Sequence, residues 1–208
     1  LVGGIAQARA FEPQLFIEWL RNQRPQEVPA VLRPLLRVKS GVRIFGGTLN
    51  FSTLGRDRED TDLVVHAGEL VYLKAASGVG KTTVAKIVIG LQRAEQVGME
   101  FDGEEFSETT PFRRWQRILW GKGMTMAFQH ADEALNPHAS VEEILRLLPV
   151  PALRSGEGVV EVLGRLFDGR EVPSLRRRKV WQLSGGQKQR LNLLRAFALS
   201  TPLIILDE

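Results

Sequence analysis

Ser77-Gly78-Val79-Gly80-Lys81-Thr82-Thr83 puts small residues, a mobile cation and hydroxyl groups side by side in one short run. Small residues let several backbone N–H groups converge on a single anion, and a helix starting there adds the positive end of its dipole. Lys81 would then serve the outer phosphates of a nucleotide and Thr82 would offer its hydroxyl to Mg²⁺. Ser77, Gly78, Val79, Gly80 and Thr83 would complete the cradle. Binding of ATP or GTP is the chemistry this pattern suits, and the bland alternative is a glycine-rich turn beside a chance Lys-Thr pair. The general pattern opens with glycine where this chain has Ala75. If that backbone needs a positive φ, alanine there costs on the order of 1 kcal/mol.

Two further runs carry polar groups of the same kind. Ser184, Gly185 and Gly186 precede an expected helix, so they present a hydroxyl and uncovered N–H groups at a positive helix end. Alone they could equally be a helix-capping turn. The apolar Leu203-Ile204-Ile205-Leu206 followed by Asp207-Glu208 describes a central parallel strand whose carboxyl end delivers two acids to a ligand crevice. Asp207 would hold Mg²⁺, directly or through water. Glu208 would polarise an attacking water, a role worth typically about 10²- to 10⁴-fold in rate. An acidic pair ending a strand can also be a plain solvated turn.

Taken in order, the phosphate loop, Leu183-Ser184-Gly185-Gly186-Gln187 with its continuation Lys188-Gln189-Arg190, and the terminal acidic strand resemble the ATP-binding cassette (ABC) ATPases. The resemblance covers about Leu35 to Glu208. It implies a P-loop α/β core with a β-rich edge near the N-terminus and an inserted helical subdomain at about 129–181. It also implies two cassettes closing face to face around ATP and Mg²⁺, with Ser184, Gly185, Gly186 and Gln187 covering the γ-phosphate held by the opposite cassette. By the same resemblance Gln129 is the glutamine that contacts Mg²⁺ and water, and Phe45 is the aromatic that stacks on adenine. Lys81, Gln129 and Glu208 are then the catalytic set, and Thr82, Gln129 and Asp207 the metal set. Gly121-Lys122-Gly123, Met126-Ala127-Phe128-Gln129 and Leu135-Asn136-Pro137 are similar to cassettes of the peptide and nickel importer group, although His130-Ala131 stands where those usually have Asp-Pro. The D-loop and switch histidine that the family places after this strand are absent, and the first residue is Leu1. The sequence therefore reads as a fragment, expected to be marginally stable and nearly inactive alone.

Several elements must position these groups. Residues 1–34 read as an extension or the tail of a preceding domain, with an amphipathic helix over Phe11–Arg24 ended by Pro25, Pro29 and Pro34; residues 35–208 read as the cassette. Short strands are expected at Leu35–Val38, Val42–Phe45 and Leu63–Val65, with Gly41, Gly46, Gly47 and Gly55 between and around them. A buried strand over Glu69–Leu73 should feed the phosphate loop, and a helix over Thr82–Val97 should leave it. A strand near Met124–Phe128, a helical stretch over Val141–Leu166 cut by Pro149 and Pro151, a helix from Gly186 to Leu199 and the strand Leu203–Leu206 complete the reading.

Composition narrows the partners. The 208 residues are 43% hydrophobic and 25% charged, enough for a sizeable core, and no apolar stretch approaches the roughly 20 residues of a membrane span. Zero cysteines exclude disulfides and thiolate metal sites, and His66, His130 and His138 are too scattered for a zinc cluster. The net charge of +4 is small, and much of it lies in Arg176-Arg177-Arg178-Lys179 without interleaved aromatics, so no nucleic acid partner is expected. The leading expectation is an energy-coupling ATPase subunit of an importer, moving a solute such as a peptide or metal. It would sit in the cytoplasm, peripheral on the inner face of the membrane, with separate transmembrane permease subunits and a second cassette as partners. The alternatives are a soluble ABC ATPase acting in translation, repair or complex assembly, and a nucleotide-binding module that has lost hydrolysis, which Ala75 and the missing switch histidine would favour.

Overall fold

Alternation of apolar and polar side chains builds the first sheet. A computed structural model describes residues 34–52, 61–76 and 78–207 of the protein. The expected helix over Phe11–Arg24, Gly55, Ser77 and Glu208 lie outside the described residues. In β1 (Pro34–Val38) Leu36 and Val38 face inward while Arg37 faces out. This strand pairs antiparallel with β4 (Leu63–His66) on one side and β5 (Gly98–Phe101) on the other. A tight hairpin then joins β5 to β6 (Glu104–Ser107), giving the order β4-β1-β5-β6. Its two turn residues, Asp102 at φ 48° and Gly103 at φ 81°, take the left-handed conformations a two-residue hairpin favours. A second hairpin, β2 (Val42–Ile44) with β3 (Gly47–Leu49), turns through Phe45 at φ 51° and Gly46 at φ 69°.

Helix α1 (Lys81–Val88) leaves the phosphate loop and lays Val84, Ile87 and Val88 on this core. The expected helix to Val97 stops there. Gly90 takes φ 77° and donates its N–H to the Ile87 carbonyl, a left-handed helix stop. A side chain at Gly90 would run into the Trp115 ring of α2 (Phe112–Ile118), so the stop is also a packing requirement. The expected buried strand over Glu69–Leu73 is a second correction. That segment has no ladder partner among the described residues, Leu70 and Tyr72 are 92% and 80% exposed, and only Val71 and Leu73 turn towards the core. The strand expected over Val42–Phe45 ends at Ile44, because Phe45 belongs to the hairpin turn.

A parallel pair carries the chain to its acidic end. β7 (Met124–Ala127) is buried at all four positions, the polar Thr125 included, and pairs in parallel register with β8 (Leu203–Leu206). Among the described residues β8, expected to be a central strand, pairs with β7 alone and is only half-buried, with Leu206 exposed. Between them lies a separate apolar core made of α3 (Val141–Arg146), α4 (Gly156–Gly164), α5 (Val172–Leu175) and the inner face of α6 (Gly185–Ala198). The helical stretch expected over Val141–Leu166 is cut at Pro149 and Pro151 into α3, a 3₁₀ turn at Pro151–Arg154, and α4. No helix among the described residues is long and apolar enough to cross a membrane.

Candidate nucleotide site

The phosphate loop owes its shape to its glycines. Gly78 has φ 82° and Gly80 φ 108°, conformations in which a side chain is strained. Gly80 is the N-cap of α1, and its carbonyl accepts the Val84 N–H at 2.8 Å. The Leu49 side chain at the end of β3 comes within 3.4 Å of where a Cβ on Gly80 would stand. The β2–β3 hairpin is thereby seated against the loop, with Phe45 at its tip, 80% exposed. Ala75 is not among the left-handed residues, so the strain that its missing glycine could impose does not arise. Its carbonyl instead accepts from Lys81 Nζ at 2.8 Å, and the Ala76 carbonyl from the same ammonium at 3.2 Å. The cation thus sits over the loop it would share with an anion.

The loop and the terminal strand meet through one contact. Thr82 Oγ1 donates to Asp207 Oδ1 at 2.8 Å across 125 residues of sequence. Asp207 is only 8% exposed, and its backbone N–H donates to the Ala127 carbonyl at 3.1 Å, which prolongs the β7–β8 register to the acid. Gln129, exposed, leaves the same carboxyl end of β7 after Phe128. A hydroxyl, a carboxylate and a nearby amide at one strand end are the hard oxygen donors that Mg²⁺ accepts from protein when substrate phosphates supply the rest. The residues present fit that ion.

At the start of α6 the expected cap forms in full. Ser184 Oγ accepts from the Gln187 N–H at 3.3 Å, and Gln187 Oε1 accepts from the Ser184 N–H at 3.0 Å. The Gln187 side chain also donates to the Glu171 carboxylate of the helical core, and Lys188 pairs with Asp132 at 2.8 Å. Leu183 is buried, whereas Ser184, Gly185 and Gly186 are exposed, and a Cβ added at either glycine would meet nothing within 4 Å. Nothing in the described part of this chain requires those two positions to be glycine.

The structure therefore joins Thr82 to Asp207, with Lys81 beside Thr82 and turned to the loop carbonyls, Gln129 two residues past the end of β7, and Gly78, Val79, Gly80 and Thr83 in the loop and its helix. Ser184–Gln187 open the helix that packs on the other apolar core, and Phe45 stands at the tip of the hairpin seated against the loop. The profile of the family described as ABC transporter matches residues 59–208. The chain belongs to the ABC transporter family. Among curated ABC relatives, the nickel import ATP-binding protein NikE of Shigella boydii serotype 4 (strain Sb227) is 34% identical over 151 residues, covering 72% of this chain and 55% of the relative. NikE of Escherichia coli (strain K12) gives the same figures. The chain thus spans about half the length of these curated relatives. Of solved folds, a dimeric bacterial ABC transporter cassette superposes with TM-score 0.62 at 22% identity, over 83% of this chain and 73% of that one. CbiO1 of Clostridium perfringens, part of an ABC transporter complex, gives 0.57 at 17% identity over 84% and 65%. The α/β ABC fold is thereby shared.

Sequence reasoning passed over four residues that pack around this candidate site. Leu49 supports Gly80, Lys86 and Glu133 pair at 3.5 Å beside Phe128, and Asn192 donates to the Phe128 carbonyl. The only local signal for any of them was the lone polar Asn192 inside Leu191–Leu194.

Proposed function

We propose that this chain is the ATP-binding and ATP-hydrolysing cassette of a solute importer. The observation that carries the reading is the Thr82–Asp207 hydrogen bond, which brings the phosphate loop and the acidic strand end to one point. On this reading residues 35–208 are the cassette, 129–181 its helical subdomain and 1–34 an extension. Ser77 to Thr83 cradle the phosphates, Phe45 stacks on adenine, and Lys81 leaves the carbonyls of Ala75 and Ala76 to pair with the outer phosphates. Thr82, Asp207 and Gln129 hold Mg²⁺, which when bound neutralises charge on the phosphate oxygens. Glu208 orients and polarises the attacking water.

The exposed Ser184-Gly185-Gly186 surface, with glycines that its own chain does not require, fits contact with the γ-phosphate on a second cassette. ATP drives closure only through its higher affinity for the closed pair. Release after hydrolysis would let the pair reopen, and the helical subdomain would pass that movement to separate permease subunits, placing the cassette on the cytoplasmic face of a membrane. Relatives named for nickel import, together with the Gly121–Pro137 resemblance, favour a metal or peptide cargo. The test uses the full-length protein: Glu208→Gln with saturating MgATP should run as a stable dimer in light scattering. A variant that binds MgATP and remains monomeric overturns the reading.

A further inference from the structure

The nucleotide reading leaves one fully buried polar side chain without a role. Asn192 lies in α6 at 0% exposure, between Leu191 and Leu194. A buried amide is tolerated only where its donors and acceptors find partners. Asn192 Nδ2 donates to the Phe128 carbonyl at 2.9 Å, and its Oδ1 faces Arg195 Nη2 at 3.5 Å. One orientation of the amide serves both contacts. Arg195 Nε, by contrast, is buried with no hydrogen-bond partner among the described residues, so the Asn192 oxygen serves Nη2 alone.

Phe128 is gripped from a second side. The Lys86 ammonium of α1 stands 6.0 Å from the centroid of its ring, and Lys86 also pairs with Glu133 in the turn that follows Gln129. The helix that begins at Lys81 and the helix that begins beyond Ser184 therefore both hold the residue immediately before Gln129. A carbonyl fixed on one side of a peptide unit and a ring fixed on the other leave little freedom to the next residue.

We propose that Asn192 is a positioning residue: its hydrogen bond to the Phe128 carbonyl fixes the exit of the chain from β7, and so sets Gln129 against the Thr82–Asp207 pair. The inference rests on the reading of Gln129 as a residue of an ATPase site, and deepens it. Asn192→Asp, close to the same volume, removes the amide donor and keeps an acceptor for Arg195; Asn192→Ala is the second variant should the carboxylate not fold.

Two measurements on the full-length protein decide the matter. Without nucleotide, hydrogen exchange at residues 128–133 should rise at least about fivefold in the variants while exchange in β1 and β5 stays as in the parent. In steady-state ATP hydrolysis kcat should fall about tenfold with KM changed less than about twofold, and in a Gln129→Ala background Asn192→Asp should cause no further loss. Unchanged exchange at 128–133 overturns the proposal, as do losses in kcat that multiply with Gln129→Ala or a lowered Tm with kcat intact. A parent protein that binds MgATP without turning it over overturns the ATPase reading and the catalytic half of this inference together. The exchange measurement still judges the latch by itself.

Discussion

At Phe45 stability and binding pull in opposite directions. A bulky residue held at φ 51° in a hairpin turn is strained, by about 1–2 kcal/mol, and its ring is 80% exposed, so little packing offsets the cost. The strain makes sense if the ring serves something outside its own chain, and adenine is the partner that the phosphate loop beside Leu49 suggests. Asn tolerates the left-handed region well. Phe45→Asn is therefore expected to stabilise the fold by up to about 1 kcal/mol, and to weaken ATP binding by roughly 3- to 10-fold through lost stacking. Thermal denaturation and a fluorescent ATP titration read the two effects separately. A variant that loses stability and keeps full affinity would show the ring to be a packing residue. The same residue marks a limit of local reasoning: the sequence pattern placed Phe45 at a strand end, and only the positive φ revealed a turn.

Among the elements, α3 shows how a surface cap can fix a helical core. The Ser140 N–H and hydroxyl interact with the Glu143 carboxylate and Lys179 Nζ lies 3.2 Å away, which together hold its pKa at about 2 against 4.5. A carboxyl whose folded-state pKa is depressed lends stability that is complete above its unfolded value and is lost as pH falls through the folded one. The window here runs from about pH 4.5 down to about 2. Glu143→Gln retains an acceptor at the cap and loses the charge. Its urea midpoint should lie below that of the parent at pH 7, with the gap closing as the pH approaches 2; a gap independent of pH would refute the linkage. The far end of α3 was legible in sequence, since Pro149 and Pro151 announced the break after it; the cap at Ser140 was not read there. The β5–β6 hairpin was not, although Asp102-Gly103 is a strong turn signal, because Glu104 and Glu105 leave Phe106 as the one apolar residue of β6. Its burial depends on Trp115, whose ring centroid lies 4.8 Å away and which belongs to a helix the periodicity did not suggest. The early end of α1 was hidden because a single Gly90 can stand inside a helical pattern; its left-handed stop, with Trp115 packed against it, shows only in the fold.

For the molecule as a whole, the two candidate anion-binding helix starts belong to helices that pack on different apolar cores: α1 on the sheet core, and α6, through Leu191 and Leu194, on the helical one. Motif spacing singled out Lys81, Thr82 and Asp207, and the structure brings Thr82 to Asp207. Spacing could not identify Asn192, whose partner is a backbone carbonyl 64 residues away. Whether the two helix starts act on one nucleotide within a chain or across two chains is decided by pairing two inactive variants. Ser184→Asp keeps a side-chain acceptor for the Gln187 N–H, so the helix cap should persist within a few tenths of a kcal/mol. It also places a carboxylate on an exposed surface where a triphosphate would have to approach, and like charges there oppose closure. Such a chain should bind MgATP as the parent does, yet neither dimerise nor hydrolyse. Lys81→Ala is its complement, with an intact Ser184 surface and a weakened phosphate loop. Mixed in equal amounts, the two chains can form a pair in which the sound loop of one faces the sound Ser184 surface of the other. ATP turnover should then reappear at a fraction of the parent rate and grow with total protein concentration. If both half-sites act within a single chain, no mixture of the two variants recovers any turnover at any concentration.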